Sequence, residues 1–239
     1  MVESKLDVSL VMPAFNEEDN IKEAVEKARS VVSGLGVRYE VIVVDDGSFD
    51  DTLTEAVNYS NGHSRVRILS YRKNMGKGFA VKTGFYHANG DVVIFIDSDL
   101  DIHPNQICEY LGALKSADMV IASKRHPQSK VETPLVRRLL SQSFNVLARL
   151  LTGVKVSDTQ TGLKAIRRTA FETIFSRLAV KRYAYDVELL TVAGLNGIKI
   201  AELPINVQMR SMFKFKEAWR MLIDLLGIAY RLRVSKFYS

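Results

Sequence analysis

Five short runs rich in β-branched residues, at 8–12, 39–44, 66–69, 92–96 and 119–122, recur along the chain with helical periodicity between several of them. Residues 17–32 (EEDNIKEAVEKARSVV) place Ile21, Ala24, Val25, Ala28 and Val32 on one stripe, and 51–58 and 78–87 are shorter helical candidates. Strand and helix in alternation predict an α/β fold, a mostly parallel sheet with helices on both faces. Ligands of such sheets sit beyond the carboxyl ends of the strands. That singles out three exits: 13–17 (PAFNE), 45–48 (DDGS) and 97–101 (DSDLD). After Ser123 the pattern changes to a basic loop, a helix around 134–152, a connector, a helix around 183–196 and a tail, with no internal repeat.

Asp97, Asp99 and Asp101 alternate directly after VVIFI. Such crowding of like charge is unfavourable unless a cation neutralises it. Carboxylate oxygens without a nearby His or Cys suit Mg²⁺ or Mn²⁺, which bridge protein carboxylates to phosphates; the alternative is an acidic turn capping the next helix. Asp45 and Asp46 follow YEVIVV, and Gly47-Ser48 can turn a carboxylate toward a ligand, or else an Asp or Ser here caps the helix near Asp51. Residues 73–78 (KNMGKG) offer a lysine and bare amides to a phosphate, although the P-loop spacing is missing.

With 47% apolar and 25% charged residues the chain can bury a sizeable core. Cys108 is its only cysteine, and MVESKLDVSLVMP lacks the basic and apolar regions of a signal peptide, so a reducing, cytosolic setting is expected. No uncharged apolar run approaches the ~20 residues of a spanning helix. Of the net charge of +6, most sits from residue 210 onward, where seven Lys and Arg face Glu217 and Asp224. Nucleic-acid binding is disfavoured, because aromatic residues are not interleaved with the basic ones and acidic strand exits would repel a phosphate backbone. A nicotinamide-dependent oxidoreductase is disfavoured too, since no G-x-G-x-x-G follows the first strand.

In combination the motifs resemble the family 2 glycosyltransferases with the GT-A fold, and within them the dolichyl-phosphate glucose and mannose synthases. The resemblance spans residues 7–212 through PAFNEE at 13–18, VVDDGSFDDT at 43–52, NMGKGFAVKTG at 74–84, DSDLD at 97–101, SDTQTGLKAI at 157–166 and RYAYDVELL at 182–190. The last two, with GKG, lean toward the glucose branch. It implies a GT-A domain over 1–212 that transfers a hexose, with inversion, from a nucleotide-sugar to dolichyl or polyprenyl phosphate. UDP-glucose is the expected donor; GDP-mannose, or a polysaccharide or glycan acceptor, is the alternative. Carried over position by position, Pro13, Ala14, Phe15 and Glu17 line the nucleotide pocket, Asp45 or Asp46 contacts base and ribose, and Lys77 and Ser98 join them. Asp97 and Asp99 hold Mg²⁺ or Mn²⁺ against the diphosphate, with Asp101 as third candidate where mannose synthases have Gln. Lys124 and Arg125 stand at the acceptor loop, and Arg137 with Ser141, one helical turn apart, and Arg210 would cradle phosphates. Asp158 and Gln160 are placed to reach acceptor or sugar, Asp186 to brace a helix, and Glu188 to serve the structure.

The basic tail, 213–239, reads as an amphipathic helix over 217–234. Arg220, Asp224, Gly227 and Arg231 form a narrow polar stripe, while Trp219, Leu222, Ile223, Leu226, Ile228 and Leu232 spread round the rest. That suits a peripheral helix at the cytoplasmic face of a membrane; the alternative is packing on the body or on a second subunit, as a homo-oligomer.

Overall fold

The computed structural model of the chain describes residues 7–208 and 215–238, with residues 215 and 216 described through their backbone alone. The expected strands form as β1 (Val8–Ala14), β2 (Tyr39–Asp45), β3 (Val66–Ser70), β4 (Val92–Phe95) and β5 (Met119–Ala122). Four further short strands complete the set: β6 (Lys130–Glu132), β7 (Lys164–Arg167), β8 (Ile200–Leu203) and β9 (Asn206–Gln208). The main sheet has seven strands in the order β3-β2-β1-β4-β7-β5-β8, with β6 and β9 paired in a small parallel ladder beside it. Neighbours run parallel, except that β7 is antiparallel to both β4 and β5. Chain order reverses across the sheet at β1, which has β2 on one side and β4 on the other. The crevice at that point is where sheets of this kind bind ligands.

The sheet is buried on both faces, and the period of two along each strand sorts its side chains into two cores. Val11, Ile42, Val44, Phe95, Ile121 and Ile166 face one way and pack with α3 (Lys77–His87), α6 (Arg168–Arg177) and α7 (Tyr185–Leu195). Leu10, Met12, Val41, Val43, Ile94 and Val120 face the other way, under α1 (Ile21–Gly34) and α4 (Ile107–Ala113). The first helix starts at Ile21 rather than at residue 17, because Asn16 adopts a left-handed φ of 54° and residues 15–20 form the turn that leaves β1. Two more helices match expectation, α2 (Thr52–Ser60) and α5 (Leu135–Thr152).

The tail helix forms as α8 (Phe215–Arg233), and it packs against α5. Leu225, Ile228 and Tyr238 are buried in the same core as α7. Part of the polar stripe turns toward the body, while Arg220 stays exposed. Asp224, Gly227 and Arg231 line a cavity against residues 179–182, and the Arg231 guanidinium reaches the carboxylate of Glu188, 3.3 Å away. Glu188 is wholly buried, accepts from the backbone N–H groups of Ala179 and Val180 at 2.9 and 2.7 Å, and also takes the Tyr238 hydroxyl. One carboxylate therefore ties α7, the 179–180 loop and the C-terminal segment together.

Glu188→Ala would leave two backbone donors and a partly buried arginine without their acceptor, a change of about 3 kcal/mol or more. At roughly 2–4 °C per kcal/mol for a chain of this size, the thermal midpoint is expected to fall by about 6–12 °C, as circular dichroism would measure.

Candidate active site

The exits of β1 and β2 are knotted together by side chains. The Asn16 N–H donates to Ser48 Oγ at 3.0 Å, the Phe49 N–H to Asn16 Oδ1 at 3.1 Å, and the Glu17 N–H to Thr52 Oγ1 at 2.7 Å. Ser98 Oγ donates to the Pro13 carbonyl at 2.9 Å and joins the β4 exit to the same edge. Above this edge Phe15 and Phe49 meet edge to face, with ring centroids 5.8 Å apart, and Phe49 is 85% exposed. An exposed aromatic pair at the ligand edge suits stacking of a flat base. Phe49 was not singled out from the sequence; its only signal was an apolar residue in an otherwise polar turn.

The two aspartates after β2 divide their work. Asp46 accepts from the Tyr71 hydroxyl (2.7 Å), the Asn74 amide (3.0 Å) and the backbone N–H groups of Met75 and Gly76 (2.8 Å each). Its carboxylate is thus occupied internally, and so are two of the amides of 73–78 that the sequence offered to a phosphate, those of Met75 and Gly76. Asp45 accepts from the Ser48 N–H at 3.2 Å, which leaves it as the carboxylate of the pair with fewer internal partners. Neither caps α2, whose N-cap position is Asp51; the Thr52 N–H that opens the helix donates to Asp50 at 3.0 Å.

Lys77 opens α3 and lays its ammonium on Asp97, 2.6 and 2.7 Å from the two carboxylate oxygens. Burial alone would lower the Lys77 pKa, but Asp97, and Asp186 behind it, drive it well above the usual lysine range. The turn before it needs glycine, since Gly76 has φ 101° and a Cβ there would lie 2.5 Å from the Lys181 carbonyl. A second ion pair sits below, Lys164 of β7 with Asp186 of α7 at 2.8 Å, both buried. The sequence assigned Lys164 no role, because a lysine in a four-residue strand reads as a strand end.

Asp99 accepts from the Asp101 N–H at 3.0 Å. Its side chain reaches solvent at the surface, yet the protein packed around it, and then the charges of Asp97 and Asp101, push its pKa up to about 7. Glu17 is raised as well, by burial first, with Asp97 and Asp101 adding to it against a hydrogen bond from Asn20. Among the described residues no three His, Cys, Asp or Glu side chains converge into a closed metal cage. The donor set is nonetheless all oxygen and electron-rich, which fits a cation held by one or two carboxylates and completed by phosphate oxygens, the usual arrangement for Mg²⁺.

Across the site, Lys124 pairs with Asp158 at 3.2 Å and donates to the Gln160 carbonyl. Asp158 also accepts from the Lys124 and Gln160 N–H groups, at 2.9 and 3.1 Å, so its oxygens shape the loop. Two residues further, Gly162 abuts Asp97 so closely that a Cβ would sit 2.4 Å from its carboxylate oxygen. The Arg125 guanidinium donates to the Ser141 carbonyl of α5 at 3.1 Å, while among the described residues its buried Nε has no partner. Arg137 lies half-buried one turn before Ser141 on the same helix. The acidic and basic groups thus occupy one end of the sheet, joined through 158–162. Arg210 lies outside the described residues.

Residues 9–175 match the sequence model of glycosyl transferase family 2. A dolichyl-phosphate beta-glucosyltransferase of Trichomonas vaginalis is 31% identical over 97% of this chain and 73% of its own length. The human dolichyl-phosphate beta-glucosyltransferase is 32% identical over 94% of this chain and 75% of its own. Among solved structures, glucosyl-3-phosphoglycerate synthase from Mycobacterium tuberculosis, in complex with Mn²⁺, uridine-diphosphate and phosphoglyceric acid, superposes with a TM-score of 0.71 at 25% identity, over 94% of this chain and 78% of its own.

With its folded pKa at about 7 and an unfolded value near 3.9, Asp99 binds more protons folded than unfolded. Its ionisation therefore opposes the metal-free fold above about pH 7, and the effect disappears below about pH 4. Asp99→Asn is expected to raise the thermal midpoint in EDTA at pH 8 but not at pH 4, while Mn²⁺ stabilises the wild type more than the variant. Thermal denaturation under the four conditions measures both.

Proposed function

The chain belongs to glycosyl transferase family 2, and from that membership we propose that it transfers glucose from UDP-glucose to a dolichyl or other polyprenyl phosphate at the cytoplasmic face of a membrane. The observation that carries this reading is a pair of complementary deficits at one end of the sheet. Asp97, Asp99 and Asp101 crowd more negative charge than the Lys77 ammonium offsets, which calls for a cation, and Arg125 presents a buried N–H that calls for an anion. The names of the Trichomonas and human relatives support the sugar and the lipid acceptor. The Mn²⁺ and uridine-diphosphate of the mycobacterial enzyme support the metal and the base.

A phosphate monoester has a second pKa of ~6 and is largely dianionic at pH 7. Its oxygen attacks the anomeric carbon without help from a strong base. The new bond joins that oxygen to C1, the bond from C1 to the UDP oxygen breaks, and its electron pair leaves on the β-phosphate, inverting the carbon. Phe15 and Phe49 stack the base, and Asp45 takes the ribose. Lys77 sets an ammonium beside the diphosphate. Asp97 and Asp99 are the residues that would hold Mg²⁺ or Mn²⁺, with Asp101 next to them; the ion, when bound, offsets charge on the departing UDP. On the acceptor side Lys124, Arg125, Arg137 and Ser141 orient the lipid phosphate, a task for which forked guanidinium donors are well shaped. Holding the two anions in line adds to this electrostatic stabilisation.

Two substitutions separate the two halves of the site. Asp99→Ala is expected to lower transfer by about 10²–10³-fold, in line with the loss of one electrostatic stabiliser, and EDTA to do the same to the wild type. Arg125→Ala is expected to raise KM for the lipid about tenfold or more, with KM for UDP-glucose little changed. Label carried from UDP-[¹⁴C]glucose into the organic phase measures both; wild-type turnover by Asp99→Ala would contradict the assignment.

A further inference from the structure

Lys77 does more at the donor site than a place beside a diphosphate requires. Its ammonium lies 2.6 and 2.7 Å from the two carboxylate oxygens of Asp97, so one cation engages both of them. From another side Gly162 closes on the same carboxylate and leaves no room for a Cβ. The two side chains of the pair are 21% and 20% exposed, so it is largely shielded from water. Asp99 differs, since it is open to solvent and takes the Asp101 N–H at 3.0 Å. The two aspartates that would hold a cation are therefore unequally available. Asp99 can be reached directly, whereas both oxygens of Asp97 are free to turn to a cation only after Lys77 leaves.

The backbone beneath Lys77 has little freedom to move. Gly76 turns the chain into α3 at φ 101°, where a Cβ would lie 2.5 Å from the Lys181 carbonyl, and the Phe79 N–H donates to that carbonyl at 3.0 Å. Movement falls instead to the lysine stem, a flexible arm with a compact charge at its end. Charge decides where that arm can go. Behind it, Asp186 is already taken by Lys164 at 2.8 Å. Drawn off Asp97 with nothing in exchange, the ammonium and the carboxylate would each stand unpaired in a shielded site, which is far more costly than the pair. A divalent cation alone gives Asp97 a new partner but repels the ammonium. A nucleoside diphosphate brings the anion that the ammonium then needs and receives it through charge-assisted hydrogen bonds. When both arrive, Lys77 passes from Asp97 to the diphosphate, Asp97 passes from Lys77 to the cation, and no charge is stranded.

We propose that Lys77 couples cation and nucleotide at this site, guarding Asp97 until a diphosphate draws its ammonium away, so that each ligand binds well only with the other. The proposal rests on the reading of the β4 exit as the place where a cation meets the diphosphate, and it adds the order of events there: the diphosphate opens Asp97, and a metal ion by itself does not. Such coupling is reciprocal, the factor by which nucleotide tightens metal being that by which metal tightens nucleotide. A cation that bridges carboxylate and phosphate couples the two in any case. The part due to Lys77 carries its own signature, because removing the ammonium should tighten the metal and loosen the nucleotide.

The test uses the full chain, with Mn²⁺ followed by the paramagnetic resonance of the free ion and UDP followed by isothermal titration calorimetry in EDTA. Without nucleotide, Lys77→Met should bind Mn²⁺ about fivefold or more tighter than wild type, and in EDTA it should bind UDP about fivefold or more weakly. Damage to the fold would weaken both, so opposite signs identify the coupling, and circular dichroism checks the fold. Asp97→Asn, which frees the ammonium, should bind UDP in EDTA more tightly than wild type. That gain should be lost in Lys77→Met/Asp97→Asn, a double variant that buries no unpaired charge. These two variants decide the matter even where Lys77→Met alone does not fold. The proposal is overturned if folded Lys77→Met binds Mn²⁺ no tighter than wild type, if Asp97→Asn shows no gain for UDP, or if the double variant keeps that gain. A wild type that binds neither Mn²⁺ nor UDP, together or apart, would refute the donor-site reading itself and the proposal with it.

Discussion

Everything at the ligand edge depends on how the chain neutralises the aspartates that leave β4. Asp97 is met by Lys77, Lys77 is in the field of Asp186, and Asp186 is paired with Lys164. Charges alternate along this line from the surface into the core. The members come in turn from the exit of β4, from α3, from α7 and from β7, so the line fixes how those four elements sit. Removing one member would strand its neighbour in a low-dielectric interior, where an unpaired charge is far more costly than a pair. Lys77 also supplies in the ligand-free molecule part of the positive charge that a cation and a nucleotide would rearrange.

The α/β architecture was legible because β1, β2 and β5 are wholly buried and β4 nearly so, and they read as largely apolar runs. The strand exits were legible for the same reason, since carboxylates at the end of such a run stand out. The second half was harder. β7 is only four residues long, begins with a buried lysine and ends with an arginine, so no apolar run marks it, yet it sits inside the sheet between β4 and β5 and runs against both. In α7 every residue from Tyr185 to Ala193 is buried, which removes the amphipathic period and leaves Asp186 and Glu188 without a visible face. Their partners lie far along the chain, Lys164 for one and Arg231 and Tyr238 for the other, and spacing cannot reveal such pairs.

The tail shows the limit of helical periodicity in another way. The stripe of Arg220, Asp224, Gly227 and Arg231 was visible, but its direction was not, because only the position of Glu188 and the 179–182 loop turns part of it toward the body. With the polar stripe partly engaged, the apolar residues of α8 divide between the core and the outside. At the site, Asp46 and the amides of Met75 and Gly76 looked like ligand groups and turn out to satisfy each other, whereas most of Phe49 stays exposed and, among the described residues, the Nε of Arg125 finds no partner. A group already satisfied internally and a group awaiting a ligand look the same in a sequence; only geometry separates them.

The central claim is that the β4 exit holds a cation against the diphosphate of a nucleotide-sugar. Anomalous diffraction at the manganese edge, from crystals grown with Mn²⁺ and UDP-glucose, addresses it directly. The account predicts a single strong peak beside Asp97 or Asp99 and in contact with the diphosphate. A diphosphate bound elsewhere, or an undisturbed Lys77–Asp97 pair with no manganese near either aspartate, would contradict it.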